Sequence, residues 1–79
     1  MQNIKDQLNS VIHLFNHGEK QNALNKISLL LIQNEKNIDV LLLHAKICIN
    51  LNEIDKAIYS LEKILKLDLN NFEALNLIY

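Results

Sequence analysis

Apolar residues recur along the chain at the three- and four-residue spacing of an amphipathic helix. The first stretch carries Ile4, Leu8, Val11, Ile12 and Phe15, which together place one apolar stripe on a helix. The spacing returns after each polar interruption, and no stretch alternates apolar and polar residues as a half-buried strand would. The pattern therefore predicts an all-α protein, with helices over residues 3–16, 20–33, 38–51, 54–67 and 72–79.

The pattern also repeats with a period of 34 residues. Ala23 and Ala57 are 34 positions apart, and so are Val11 and Ala45. A small residue on an apolar helix face indicates that another helix approaches closely there. Self-similarity at a fixed period of this length is typical of a repeat protein. The units run over residues 3–36 and 37–70, with the start of a third at 71–79.

The residues that start and end the helices follow the same period. Gly18 and Asn52 stand where a helix ends in a left-handed residue, a conformation that Gly and, next, Asn tolerate. Asn37 and Asn71 suit helix N-caps, whose side-chain oxygen accepts an unpaired backbone N–H. The joints are short, so we expect successive helices to be antiparallel neighbours.

The second unit, IDVLLLHAKICINLNEIDKAIYSLEKILKLDLNN, resembles the tetratricopeptide repeat, whose period is 34. The resemblance puts Ala45, Ala57 and Ile64 at the tight contacts between paired helices. It departs from the family at His44, where Leu is usual, and in having no proline at the end of either unit. It implies a single domain over residues 1–79, built of tandem antiparallel helix pairs that stack as a short right-handed solenoid.

Composition narrows the class of partner. The net charge is −1, and all eight Lys-plus-Arg residues are Lys, which argues against a nucleic-acid partner. The apolar runs are far shorter than the ~20 residues of a membrane span, and the N-terminus lacks the pattern of a signal peptide. We therefore expect a cytoplasmic protein with no membrane contact. The single cysteine, Cys48, is compatible with a reducing compartment.

Two histidine pairings are the candidates for chemistry. His13 and His17 lie one helical turn apart, as zinc ligands do, but no acidic or cysteine cluster is placed to complete a ligand set. His44 and Cys48 have the spacing of a Cys–His nucleophile pair, yet both fall on a face that should pack inside the unit. We therefore expect a buried structural pair, and neither catalysis, a cofactor nor a metal.

Binding is the function that the repeat itself favours. Stacked repeats form a concave surface, and the resemblance assigns that surface to the first helix of each unit. We call it the concave face; apolar anchors with a polar flank would lie there, namely Lys5, Leu8, Ile12, Phe15, Asn16, Asp39, Leu42, Lys46, Ile49, Asn50 and Asn76.

The concave face lacks the polar clamp with which some family members grip a C-terminal carboxylate. An apolar groove instead fits an amphipathic helix or an extended segment of a protein partner. The alternative is that Leu42, Leu43 and Ile49 pack only against neighbouring units. The places of the clamp are held here by Leu8, Ile12, Leu43 and Glu73.

The expected function is thus a non-catalytic protein–protein interaction module. One alternative comes from the opening, IKDQLNSVIHLFNHGEKQNAL. It resembles repeat segments that precede bacterial glycosyltransferase or sulfotransferase domains, which implies an arm that positions the protein substrate of a longer enzyme. Another alternative is a small dedicated chaperone for a secreted or assembly subunit. We also expect a homo-oligomer through the C-terminal helix, because Phe72, Leu75 and Ile78 form an apolar face without a second helix to cover it.

Overall fold

A computed structural model describes residues 3–78, which are helical apart from short joints. The prediction of an all-α protein is confirmed, and no strand occurs in this part of the chain. The assignments made for Tyr79 and for the first two residues lie outside the described range. The helices are α1 (Ile4–Asn16), α2 (Lys20–Gln33), α3 (Ile38–Asn50), α4 (Ile54–Leu67) and α5 (Phe72–Ile78).

Three helices begin with the same cap, 34 residues apart. The Asn3 side-chain oxygen accepts the Asp6 N–H at 2.8 Å. The predicted caps at Asn37 and Asn71 are confirmed in the same way, with N–H donors three residues further along the chain at 3.1 and 2.9 Å. Such a cap is worth about 1 kcal/mol against alanine. Local chemistry therefore fixes where α1, α3 and α5 start.

The ends of α1 and α3 also share one geometry. Gly18 has a φ of 82° and Asn52 a φ of 63°, so both take the predicted left-handed conformation. The next N–H in each case reaches back to close the helix: Glu19 donates to the Leu14 carbonyl at 2.9 Å, and Glu53 to the Cys48 carbonyl at 2.7 Å. This bond satisfies a carbonyl that the helix end would leave unpaired, and it turns the chain sharply into the next helix.

Helix α3 lies at the centre of the packing. It contacts α2 on one side and α4 on the other, and it touches α1. It is buried on most of its surface, as its nearly continuous apolar sequence predicts. Its buried residues are Val40, Leu41, Leu42, His44, Ala45, Ile47 and Cys48.

Two apolar clusters meet along α3. The first joins α1, α2 and α3 through residues such as Val11, Ile27 and Ile47. The second joins α3, α4 and α5 through Leu41, Ile64 and Ala74 among others. Because each cluster needs residues from three successive helices, no single helix pair completes a core by itself.

Alanines lie at the helix contacts of both clusters. Ala23 and Ala57 are buried in the first cluster, and Ala45 and Ala74 in the second. The small residue that the pattern singles out at position 57 is therefore buried, as predicted. A buried Ala lets the facing helix approach closely, since interaxial distances depend on the side chains at the contact.

Enlarging the buried alanines should destabilise the fold to different degrees. Ala23→Leu should lower the free energy of unfolding by about 1–3 kcal/mol, because an overpacked core forces shifts in its neighbours. Ala57→Leu should cost less, since a pocket of about 350 Å³ lies beside Ala57 and gives the larger side chain room. Thermal melts followed by circular dichroism measure both, at roughly 4–8 °C per kcal/mol for a domain of this size.

The matched control for these variants is Asn25→Leu. Asn25 is exposed on α2, so the same new side chain enters water and should change stability by only about 0.5 kcal/mol. Equal melting temperatures for Ala23→Leu and Asn25→Leu would show that Ala23 is not at a close helix contact.

Candidate functional site

An apolar pocket opens between α1 and α3. Its volume is about 280 Å³. Helix α1 contributes residues three apart, and α3 contributes residues at positions i, i+3, i+4 and i+7, so each helix turns a single stripe toward the pocket. The lining residues are Ile12, Phe15, Leu43, Lys46, Ile47 and Asn50.

The pocket has an apolar floor and a polar rim. Ile12 is 40% exposed, so it is open to a partner. On the α3 side, Lys46 and Asn50 are exposed and stand at the edge. A groove of this kind binds mainly through apolar burial, and its polar rim sets orientation.

Charges near the pocket are held weakly and at the surface. The Lys46 ammonium lies 3.4 Å from the Glu73 carboxylate, and both side chains are exposed; such a pair contributes about 0–1 kcal/mol. The Lys20 ammonium lies 5.6 Å from the centre of the Phe15 ring, within the range of a cation–π contact. Neither charge is buried in the pocket, so neither would have to be desolvated by an apolar ligand.

The pocket contains part of the predicted concave face, namely Ile12, Phe15, Lys46 and Asn50. The structure does not bring the other predicted residues into it, and their surroundings differ. Leu8 packs partly against the first cluster, Leu42 is buried in the second, and Ile49 lines a different pocket. The polar ones are exposed elsewhere on the helices: Lys5, Asn16, Asp39 and Asn76.

Leu43 and Ile47 line the pocket but were not among the predicted anchors. Both lie on α3, where nearly every position is apolar. The signal that would have found them is the polar pair Lys46 and Asn50, because residues three and four positions away on a helix share its face.

A second feature is a buried polar cluster between α3 and α4. His44 and Ser60 are buried, and the His44 Nδ1 lies 2.7 Å from the Ser60 Oγ. The His44 Nε2 lies 3.5 Å from the Cys48 Sγ. The arrangement is satisfied when the Ser60 hydroxyl donates to Nδ1 and the Nε2–H points toward the sulfur, which accepts weakly.

Burial keeps both reactive groups of this cluster neutral. Desolvation lowers the pKa of His44, and the positive charge of Lys56 lowers it further. Desolvation raises the pKa of Cys48; Lys56 opposes this rise and Glu53 adds to it. A nucleophilic cysteine needs the thiolate and access to its substrate, and buried Cys48 has neither. The prediction that this pair is buried is confirmed.

Zinc ligation finds no completed site in the described range. The rings of His13 and His17 lie 4.0 Å apart, and the His17 Nδ1 bonds to the His13 carbonyl at 2.8 Å. Within residues 3–78, no three or more His, Cys, Asp or Glu residues are grouped so as to hold a metal ion. The same residues contain no helix with both the length and the apolar character needed to cross a membrane.

The His44–Ser60 pair should make stability depend on pH. The lowered pKa of folded His44 means that the unfolded chain takes up a proton more readily. Stability should therefore be complete above the ordinary histidine pKa of about 6.5 and should fall as the pH drops below it toward the folded pKa. Urea unfolding across this range measures the effect, with His13→Gln as the control that should keep the dependence.

Breaking the pair on one side should cost more than removing both partners. Ser60→Ala leaves the buried Nδ1 without a donor and should lose about 1–3 kcal/mol. The double variant His44→Leu/Ser60→Ala removes both polar groups, so it should recover much of that loss and flatten the pH dependence between neutrality and mild acidity. A double variant that keeps the slope of the wild type would assign the slope to another group.

Comparisons with family models, with curated proteins and with solved structures found no match for this chain. What indicates a function is therefore the molecule itself: the pocket between α1 and α3, and the internal repeat that places it.

Proposed function

We propose that this chain is a non-catalytic protein-interaction module that binds an apolar segment of a protein partner between α1 and α3. The observation that carries the proposal is the pocket of about 280 Å³ whose floor is apolar and whose rim carries Lys46 and Asn50. Apolar concave sites with a few placed polar groups are the usual form of a binding site.

The proposal includes the fold family. We assign the chain to the tetratricopeptide repeats, with residues 3–36 and 37–70 as two units and residues from 71 as the opening of a third, stacked as a right-handed solenoid. In support, α1, α3 and α5 start at Ile4, Ile38 and Phe72, at a constant spacing of 34 residues. The caps and the left-handed exits keep the same spacing, so the repeat holds in backbone geometry as well as in sequence.

The size and lining of the pocket point to the kind of segment it takes. The volume suits one large apolar side chain or two small ones, so a partner would insert an anchor rather than a whole helix face. Lys46 and Asn50 stand three and seven positions after Leu43 and are placed to bond the polar backbone beside that anchor. An extended segment offers free backbone groups there, whereas a helix has already paired most of its own; we therefore favour an extended segment over a helix.

The groove is tested with peptides selected from a random phage-displayed library on the immobilised protein. Selected peptides should carry an apolar anchor, and Ile12→Asp should weaken their binding by about 30-fold or more, which corresponds to roughly 2 kcal/mol at a central contact. Ile32→Asp on α2 is the matched control, because Ile32 is 75% exposed and lies outside the pocket.

Salt distinguishes this groove from a surface driven by lysines. Binding through burial should change little between low and high ionic strength, whereas exposed charge pairs are screened. Circular dichroism should show both Asp variants folded before affinities are compared. Peptides that bind folded Ile12→Asp normally but are lost in high salt would place the binding surface elsewhere.

A further inference from the structure

A second apolar pocket lies at the other end of the helix order, where α3, α4 and α5 meet. Its volume is about 350 Å³. Two of its isoleucines are well exposed, Ile54 at 44% and Ile58 at 41%. We call it the C-terminal pocket; it is lined by Ile49, Ile54, Ala57, Ile58, Leu61, Glu62, Leu77 and Ile78.

The internal repeat shows what an occupied pocket of this kind looks like. The residue 34 positions before Ile58 is Leu24, which is only 5% exposed. Leu24 belongs to the cluster that contains Ile47 and Cys48, from the last turns of α3, with Leu51 packed against it. Ile58 therefore stands where its counterpart is covered by an apolar helix segment, and nothing within residues 3–78 gives it that cover.

The opposite end of the protein is built to face water. A depression between α1 and α2 is lined by Asn9, Ser10, His13, Leu14 and Lys26. Their counterparts 34 positions later include Ile47, Cys48 and Ser60, which are buried. The first unit thus carries polar residues where the second unit carries core residues, and this end needs no cover.

The polarity of the two ends selects the partner for the C-terminal pocket. We propose that a second copy of this chain covers it, in a two-fold arrangement that packs the C-terminal pockets of both copies against each other. A head-to-tail contact would press the isoleucines onto Asn9, Ser10 and Lys26, and these polar groups would lose water without gaining partners. A two-fold contact places the same apolar surface on itself, with exposed Glu62 at its edge.

One position offers a mild test, because the chain itself carries the substituted residue elsewhere. Ile54 corresponds to Lys20 in the first unit, so Ile54→Lys copies a side chain that the fold already accepts at the equivalent place. Sedimentation velocity from low micromolar to submillimolar concentration should show a wild-type dimer. Ile54→Lys should raise the dimer dissociation constant by about tenfold or more, the factor that corresponds to 1.4 kcal/mol. Ile32→Lys is the matched control and should leave the dimer unchanged.

A crosslink separates the two-fold dimer from other assemblies. Ile58→Cys should link to itself through a short bismaleimide, because a two-fold axis brings equal residues together; buried Cys48 should not react. A folded wild-type monomer at every concentration would overturn the proposal. Higher oligomers in which the Ile58→Cys variant fails to crosslink would also overturn it, as would a dimer that survives Ile54→Lys and Ile58→Lys.

The dimer is independent of the peptide groove and can fail separately from it. Ile12→Asp should leave sedimentation unchanged, since Ile12 lines the pocket between α1 and α3. Ile54→Lys should in turn leave the affinity for the selected peptides unchanged when both are measured at a concentration where the protein is monomeric.

Discussion

The burial of α3 is the constraint on which the rest of the structure depends. This helix is apolar on almost every side, and seven of its residues are buried. Burying apolar surface contributes roughly 25 cal/mol per Å², but α3 gains it only when α2 and α4 cover opposite sides. The one polar residue in this interior, His44, is satisfied by Ser60 from α4. Because a buried imidazole finds its partner in one register only, the pair fixes how α3 and α4 align as well as contributing to their contact.

The surfaces that remain after α3 is covered differ between the two ends because the two units differ in sequence. The fold repeats, but the positions of Ser10 and His13 are polar in the first unit, and their counterparts His44 and Ile47 are buried in the second. The position of Lys20 becomes Ile54 in the second unit. Each of these differences is small, yet together they make one end hydrated and the other apolar. Polarity at the ends of a repeat array therefore carries information about assembly that the helix pattern does not.

Most of the fold could be predicted from the sequence, because the signals that set helix ends are local. Asn caps and left-handed residues at positions 18 and 52 act within a few residues, and the period transfers each assignment to the next unit. The candidate site was predicted less well. Helix α3 has apolar residues all round, so its sequence cannot tell which of them faces the groove; Leu42 and Ile49 were predicted there, whereas Leu43 and Ile47 line the pocket. Ser60 was missed for a related reason: a hydroxyl on a helix is expected at the surface until its buried acceptor is known.

The two apolar pockets share the last turns of α3, and this links them through stability. Ile47 and Asn50 line the groove beside α1, whereas Ile49 lines the C-terminal pocket; residues two positions apart on a helix point to nearly opposite sides. A ligand that binds only the folded chain stabilises it by about 2.7 kcal/mol at a hundred times its Kd, a large share of the stability of a small domain. Occupying either pocket therefore raises the folded fraction available to the other. This coupling vanishes when the chain is already fully folded, so it should be strongest in destabilised variants such as Ser60→Ala and weak in the wild type at low temperature.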